Sequence, residues 1–430
     1  MKWLPLLLII TICSLLSPLT PSTSDGVNFY LALQDFDLDR FQPHFPGYPL
    51  YIFFGKLLML LGLSASWALL MINALSAALL FVIVQKMTTI SSWKLLLPFL
   101  CIPLLFSKGL IFGSDMMGLA VWSVMIYLLY KKEYHFKTIL LISVIAGLLM
   151  GIRLGYAPLL SALLFIPLYH KTQRLKTMVI LVMGFGLGLV LWLAPLTSLI
   201  GFDHYITIGK AFITGHFTTW GGSAITDHSP ALRVEKILTI ITSQAIIVVP
   251  VAFSLYYVIT KEKLQWNFWL IALGPYLLFV LFGQNVDNAR HFLPLVLPLC
   301  LLLTYLEKQL SPPLALTILL ITALCNLVWQ KNNHHQVAPS LQIISYLKEQ
   351  KDIENANIYA GESYRFIEWK EPYWNVKEEI YFEELPVDFL NPHPAYFISQ
   401  QNLEEKFPGQ VKALHYFPAN KRAIGVFKQQ

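Results

Sequence analysis

The side chains that could do chemistry in this chain are isolated charges at the ends of long apolar runs. Asp25 follows the first run almost immediately, Asp115 stands in "LIFGSDMMGLAVW", and Arg153 stands in "LLMGIRLGYAPLL". A carboxylate at the mouth of a helix bundle is placed to act as a general base. An arginine is suited to hold a phosphate group through two hydrogen bonds at once. These three residues are therefore candidates for a site that binds a phosphate and removes a proton.

Asp115 and Arg153 stand in apolar surroundings, where a charge is energetically unfavourable. A charge at the centre of a membrane helix costs roughly 2.5–3.5 kcal/mol on insertion scales, so a compensating role is expected. A structural alternative stays open for each residue. Asp115 could cap the N-terminus of a helix, and Arg153 could extend along the interface towards the headgroups.

Further candidates for substrate binding lie in the connections between the apolar runs. They are His44 and Tyr48 in "FQPHFPGYPLY", His216 and Trp220 in "GHFTTWGG", and Arg290 and His291 in "NARHFLP". The prolines and aromatic rings of the first segment are typical of a stiff turn at the headgroup level, so a passive anchor is the alternative for Tyr48. Arg290 has two open interpretations, a phosphate ligand or a cap at the headgroups.

Metal binding has weaker support. His204, His216 and His228, with Asp203 and Asp227, share one connection, but their spacing matches no known site. The sequence therefore predicts no certain cofactor, and a divalent metal is the less favoured alternative.

The elements that carry these residues must be membrane helices. Of the 430 residues, 56% are hydrophobic and only 13% are charged, and the mean hydropathy is +0.58. A soluble chain carries roughly 25% charged residues. The cysteines are isolated within apolar runs, which indicates packing rather than disulfides or metal binding; they are Cys13, Cys101, Cys300 and Cys325.

Apolar runs of about 17–23 residues predict about eleven transmembrane helices. They lie near residues 3–20, 66–85, 95–112, 116–130, 138–151, 156–169, 177–200, 238–260, 266–283, 291–306 and 312–330. The first run also has the length of a signal peptide, but it shows no clear small-residue cleavage site, so a retained helix is favoured.

Every second connection is short and basic, which predicts a cytoplasmic face by the positive-inside rule. The basic residues are Lys2, Lys86, Lys94, Lys131, Lys132, Lys137, Lys171, Arg174, Lys176, Lys261, Lys263 and Lys308. The N-terminus is then cytoplasmic, and the candidate residues face outward. The net charge of +6 is therefore explained by the basic residues that orient the protein in the membrane. We expect no nucleic-acid partner.

Residues 331–430 are richer in charged residues and predict a small extracytoplasmic α/β domain. "ANIYAG", "AYFISQ", "VKALHYF" and "RAIGVF" read as short strands, and "SLQIISYLKEQ" and "NLEEKF" as short helices. A lid or scaffold is the plainest role for it. The predicted fold is thus mainly α, with a transmembrane domain over 1–330 that includes a first outer loop at 21–65.

Local patterns predict how some of the helices pack. "VNFYLALQDFD" and "YPLYIFFGKLLMLLG" read as two interfacial helices joined by the proline-rich turn. "GFGLG" at 184–188 has GxxxG spacing inside an apolar run, which favours close helix packing over a phosphate loop. No internal repeat is visible.

Four of these features resemble the GT-C glycosyltransferases, and most closely the group of protein O-mannosyltransferases and lipid A aminoarabinose transferase. They are Asp25 after the first run, "PHFPGYPLY", "SDMMGLA" and "GIRLGYAPLL". The sequence departs from many relatives in the first loop, where Gly26 follows Asp25 in place of a second acidic residue. Its C-terminal domain is also smaller than in several relatives.

The resemblance implies an integral protein of the bacterial inner membrane that transfers a sugar from a polyprenyl phosphate, without a nucleotide. The acceptor would be a hydroxyl of a lipid, glycan or protein on the outer face. Asp25 would be the general base of an inverting attack, and Asp115 would orient the acceptor or an arginine. Arg153 and Arg290 would hold the leaving phosphate.

The alternative is a transporter or flippase for a lipid-linked or anionic substrate, which would also place charges inside a bundle. Transporters often show inverted repeats and charges at the bilayer midplane. Here the charges cluster at the outer ends of the predicted spans, which favours the enzyme.

Overall fold

The computed structural model describes residues 3–88, 90–169, 171–226, 229–261, 266–306, 310–334, 337–361, 363–379, 382–385, 394–418 and 423–429. The chain divides into two compact units. One comprises Met1–Leu19 and Ala32–His334, and the other comprises Thr20–Leu31 and His335–Gln430. The second unit thus begins near residue 335 in the C-terminal part of the chain. It also includes the start of the predicted first outer loop.

The first unit is helical. Together with α2, which begins in the second unit, its α-helices are α1 Leu4–Leu16, α2 Ser24–Gln34, α3 Pro49–Leu60, α4 Ala65–Thr88, α5 Ser92–Leu100, α6 Pro103–Gly109, α7 Asp115–Tyr130, α8 Phe136–Ile152, α9 Phe165–Tyr169, α10 Arg174–Ile200, α11 Phe202–Gly215, α12 Pro230–Ser243, α13 Val248–Lys261, α14 Trp266–Gly283, α15 Val296–Leu303 and α16 Pro312–His334. Short 3-10 helices cover Leu154–Leu164, Lys171–Gln173, Ala245–Ile247 and Ala289–Leu295, and a π-helix covers His216–Trp220.

Every predicted span overlaps one helix or a run of two or three consecutive helical segments. Within the described residues, α4, α10 and the part of α16 up to Asn332 are long and apolar enough to cross a membrane. The segments Pro230–Ser243 and Ala245–Thr260 would form a fourth span, bent by 61°. The total of about eleven spans and the orientation remain predictions, and Lys2, Lys263 and Lys308 lie outside the described residues.

The predicted span at 95–112 is broken into α5 and α6. Pro103 opens α6 and has no N–H to continue the preceding helix. Two side chains of α16 take up the carbonyls at the break: Asn326 donates to Leu100 O at 2.8 Å, and Gln330 donates to Pro103 O at 3.1 Å. Both donors are buried, and a break in the interior requires this internal satisfaction of the backbone.

Helices α8 and α10 pack at the closest approach that glycine permits. A Cβ on Gly188 would lie 2.3 Å from Val144 O, and one on Gly147 would lie 2.4 Å from Phe185 O. Trp192 Nε1 also donates to Gly147 O at 3.0 Å. The close packing predicted from "GFGLG" is therefore confirmed.

The second unit contains a five-stranded sheet of order β2-β1-β3-β5-β4. The strands are β1 Asn357–Ala360, β2 Asn375–Glu378, β3 Ala395–Ser399, β4 Val411–Phe417 and β5 Ile424–Gln429. β1 runs parallel to β2 and β3, and β5 pairs antiparallel with β3 and β4. The helices are α17 Pro339–Lys348, α18 Tyr364–Lys370 and α19 Leu403–Lys406, with a 3-10 turn at Ile353–Asn355.

The start of α2 belongs to the core of this second unit. Val27 is fully buried in one cluster with Ile343 and Ile358, and the rings of Tyr30 and Trp369 lie 5.2 Å apart. The helix predicted in "VNFYLALQDFD" is confirmed as a helix, and its first half packs within the α/β unit.

Candidate active site

Asp115 and Arg153 form a buried ion pair in the first unit. Arg153 Nη2 lies 2.9 Å from Asp115 Oδ1, and the two side chains are 8% and 3% exposed. Asp115 is the first residue of α7, and the N-cap is Ser114, whose side chain makes no capping bond. The capping interpretation of Asp115 is therefore wrong, because its carboxylate faces the guanidinium instead.

Local backbone features bring the pair together. α8 ends at Ile152, and Arg153 is extended, with φ −152° and ψ 91°, before the 3-10 helix at Leu154–Leu164. A Cβ on Gly118 would lie 3.1 Å from Arg153 Cβ and 3.0 Å from the Tyr156 ring. The glycine of "SDMMGLA" thus lets α7 approach the turn of "GIRLGY".

The proline-rich segment completes the surroundings of Arg153. Its guanidinium lies over the Tyr48 ring, 5.7 Å from the centroid, within the range of a cation–π interaction. The Tyr48 hydroxyl lies 2.7 Å from His44 Nε2. Both residues belong to the turn between α2 and α3, where Gly47 has φ +89°.

An aromatic row continues from His44 to residues 212–220. The His44 ring is stacked on Phe212 of α11 at 5.4 Å. Phe212 packs edge-on against Trp220 at 4.9 Å and lies stacked 6.4 Å from His216. Trp220 is 53% exposed, so the row leads from the buried ion pair to an accessible aromatic ring.

His216 is held by a backbone carbonyl. Its Nε2 lies 3.1 Å from Gly283 O at the end of α14. Burial lowers the pKa of this imidazole, and the bond to the carbonyl offsets that shift only in part. Because a carbonyl oxygen only accepts, Nε2 is the donor in this contact, and burial favours the neutral form of the imidazole.

Arg290 and His291 lie in the 3-10 helix at Ala289–Leu295, and two tyrosines link it to the ion pair. Tyr276 donates to His291 O at 2.9 Å, and its ring packs edge-on against Tyr156 at 5.6 Å. Tyr156 in turn donates to Asp115 O at 3.3 Å. The charge of Arg290 lies near enough to both tyrosines to act on their hydroxyl groups.

Several residues of this site were not identified from the sequence as functional. Tyr51 of α3 is fully buried, interacts electrostatically with Asp115, and faces Asn73 and the backbone of Gly113. Asn73, on α4, donates to Ile111 O at 2.7 Å. In the sequence, each of these residues is only an amide or a phenol inside an apolar run. Such a pattern does not distinguish a functional residue from a residue of the hydrophobic core.

Asp25 is placed in the second unit. It lies half-buried in the first turn of α2, which Thr23 initiates by accepting a hydrogen bond from Gly26 N–H at 3.1 Å. The structure thus brings together the other candidates, and the convergence of Asp25 with them stays a prediction. Further along the same loop, Asp39 Oδ2 lies 2.9 Å from His204 Nε2 in an exposed pair.

Metal ligands are not clustered in the described part of the chain. No group of three or more His, Cys, Asp or Glu is positioned to hold a metal ion among those residues. Asp227 and His228 lie outside them.

The fold of this chain, with its helical unit and its small α/β unit, matches two solved structures of the protein ArnT. The crystal structure of ArnT from Cupriavidus metallidurans bound to undecaprenyl phosphate matches this chain with a TM-score of 0.62 at 11% identity, covering 99% of this chain and 97% of that one. The apo structure of the same protein matches with a TM-score of 0.60 at 10% identity and the same coverage.

ArnT is the lipid A aminoarabinose transferase, a GT-C glycosyltransferase, so the predicted resemblance is confirmed at the level of the fold. No protein-family model matches the chain, and no curated protein sequence matches it.

Proposed function

We propose that the chain is a membrane glycosyltransferase that moves a sugar from a polyprenyl phosphate to an acceptor hydroxyl of a lipid, glycan or protein on the outer face of the membrane. The observation that carries the proposal is the buried Arg153 in an ArnT-like fold. The structural neighbour with this fold was solved with undecaprenyl phosphate bound. The lipid-linked phosphate is therefore the ligand class for which the buried cation is best suited.

The bonding of Arg153 supports a phosphate ligand. Among the described residues, its guanidinium has one ion-pair partner, Asp115, and one aromatic partner, Tyr48. An arginine carries several N–H donors in a planar fork that matches phosphate oxygens. The remaining donors form no hydrogen bond to any described residue, so they are available for a phosphate that enters beside the pair.

The ion pair indicates different roles for Asp115 and Asp25. Asp115 is buried beside the Arg153 guanidinium at 2.9 Å, whereas Asp25 lies half-buried at the start of α2. We therefore assign Asp115 to holding Arg153, and Asp25 to taking the proton. Arg290 is a second cation that stabilises the departing phosphate.

The reaction balances without a cofactor. Asp25 takes the proton of the acceptor hydroxyl as its oxygen forms a bond to the anomeric carbon. The bond between that carbon and the phosphate oxygen breaks on the opposite face, so the anomeric configuration is inverted. The electron pair leaves with the polyprenyl phosphate, whose added negative charge Arg153 and Arg290 offset.

The test is transfer by the purified protein in nanodiscs. Undecaprenyl-phosphate-linked mannose and undecaprenyl-phosphate-linked aminoarabinose are supplied with an envelope extract as the source of acceptors. We expect release of undecaprenyl phosphate together with labelled acceptor. Movement of the intact lipid-linked sugar across proteoliposome membranes, without cleavage, would instead establish the transporter.

A matched pair of variants tests the role of Arg153. Arg153→Lys keeps the charge next to Asp115 but loses the planar fork, so we expect weaker binding of undecaprenyl phosphate. Arg174→Lys makes the same change at an exposed arginine and should leave binding unchanged. Equal affinities in wild type and Arg153→Lys would remove Arg153 from the phosphate site.

A further inference from the structure

Arg233, in the first turn of α12, is a buried arginine whose hydrogen-bond partners within the described ranges are backbone carbonyls. It is 5% exposed. Its Nε and Nη2 donate to Leu281 O at 3.0 and 2.7 Å, and Nη2 also donates to Gln284 O at 2.8 Å. Nη1 donates to Gly222 O at 3.0 Å. Among the described residues it faces no carboxylate, so the carbonyls at the negative end of α14 supply the compensation that a buried charge needs.

The other carbonyls at the end of α14 accept hydrogen bonds from Ala224 and His216. Phe282 O accepts a hydrogen bond from Ala224 N–H at 2.8 Å, and Gly283 O accepts one from His216 Nε2 at 3.1 Å. The carbonyls of the last helical turn have no partner inside a helix. Residues 216–226 and 229–233, here called the capping segment, therefore bond each carbonyl from 281 to 284.

α12 also holds the loop that follows α14. Lys236, one turn after Arg233, forms an ion pair with Asp287 at 2.7 Å. In that loop the Asn288 side chain accepts a hydrogen bond from Arg290 N–H at 3.4 Å and starts the 3-10 helix. The position of Arg290 thus depends on a loop that two cations of α12 fix at both ends.

We propose that Arg233 is a positioning residue that joins the capping segment, with His216 and Trp220, to the loop that presents Arg290. The two sets of substrate-binding groups are thereby held in one arrangement. The inference rests on the proposed function for its ligand, a polyprenyl-phosphate-linked sugar. Arg233 itself does not contact that ligand, because its bonds go to the protein backbone.

The decisive experiment is a double-mutant cycle on donor KM in the full-length protein. Arg233→Met loses every one of the hydrogen bonds, and we expect KM for the lipid-linked sugar to rise about tenfold. In an Arg290→Gln background, the same change should raise KM by a smaller factor, because the part of the effect that acts through Arg290 is already lost and only the part that acts through the capping segment remains. An unchanged KM in Arg233→Met, or a full effect in the Arg290→Gln background, would overturn the proposal. Arg233→Lys keeps the buried charge and serves as a second variant should Arg233→Met fold poorly, with a smaller rise expected.

A matched control separates positioning from lost stability. Asn326→Ala also deletes a buried donor to a backbone carbonyl, Leu100 O, at the break between α5 and α6. It should lower the melting temperature without changing donor KM. A KM rise in Asn326→Ala equal to that in Arg233→Met would show that any loss of stability produces the effect.

Hydrogen exchange tests the coupling independently of activity. Arg233→Met should lose protection in peptides covering 216–226 and 284–291, and Asn326→Ala should not. If the wild-type protein transfers no sugar, the proposed function fails, and the coupling still stands or falls on this measurement. If exchange in both peptides matches wild type, the coupling is refuted whatever the activity.

Discussion

Arg153 Nη2 stands 2.9 Å from Asp115 Oδ1, and neither side chain is more than a tenth exposed. Each charge alone would be costly in an apolar bundle, so each residue stabilises the other. The pair also meets the proline-rich segment, because the Arg153 guanidinium lies over Tyr48. The stability of the bundle and the proposed binding of a phosphate therefore depend on the same pair of side chains.

Removing both charges should separate the two effects. Asp115→Asn leaves an uncompensated buried guanidinium and should cost about 3–5 kcal/mol of stability. The double variant Asp115→Leu with Arg153→Met should be more stable than Asp115→Asn, yet bind no undecaprenyl phosphate. Thermal unfolding in detergent, with a binding assay on the same samples, provides the measurement. A double variant less stable than Asp115→Asn would show that the pair is worth more than its apolar replacement.

The glycines of "GFGLG" allow a test of helix packing with an internal control. Gly188→Ala would place a Cβ 2.3 Å from the Val144 carbonyl oxygen, against backbone that cannot yield easily. We expect α8 and α10 to separate and the melting temperature to fall. Gly186→Ala meets nothing within 4 Å and should be neutral or stabilising by about 0.5–1 kcal/mol. Equal melting temperatures for the two variants would contradict the packing.

The sequence predicts most elements, because hydrophobic period and turn residues are local properties. The four strands and two helices predicted in the tail are confirmed. β2 was missed because Asn375–Glu378 is a polar, mostly exposed edge strand without alternation. α18 was missed as well, since Tyr364–Lys370 is only two turns long.

The site was predicted less completely, for a physical reason. Asp115 and Arg153 are conspicuous as charges in apolar runs, but their pairing depends on the extended backbone at Arg153 and on the missing side chain of Gly118. In the sequence, Tyr156 and Tyr276 cannot be told apart from aromatic residues of the hydrophobic core. Only the tertiary structure shows that their hydroxyls are aimed at carbonyls of the site.

The hydrogen bonds of Asp352 predict how the stability of the second unit changes at acidic pH. Partial burial by itself raises the pKa of this carboxyl, but hydrogen bonds from Lys428 at 2.5 Å and Tyr396 at 2.6 Å outweigh it and hold the pKa below its ordinary value. The stabilisation is therefore present above the unfolded pKa of about 3.9 and is lost as pH falls through the lower folded value.

Asp352→Asn should accordingly destabilise the second unit at neutral pH. Hydrogen exchange of peptides from β3 and β5 in the full-length protein measures this effect. The difference between variant and wild type should shrink as pH falls below about 4. A difference that stays constant down to pH 2 would show that the carboxylate charge contributes nothing.

Asp25 is the residue on which the proposed reaction depends most. Asp25→Asn keeps the shape of the side chain and one acceptor oxygen but cannot take a proton. Loss of a general base costs about 10²–10⁴ in rate, so we expect transfer to fall by that factor while binding of the lipid-linked donor persists. A merely structural aspartate in the first turn of α2 would instead cost about 1 kcal/mol of stability.

Asp39→Asn is the matched control for this change. It removes a carboxylate from the same predicted loop, where Asp39 is exposed and paired with His204. We expect near-normal transfer and donor affinity in Asp39→Asn, measured beside Asp25→Asn at equal protein abundance. Near-normal transfer by a well-folded Asp25→Asn protein would remove Asp25 from the mechanism. The base would then be sought at Asp115, whose pairing with Arg153 would have to open for it to accept a proton.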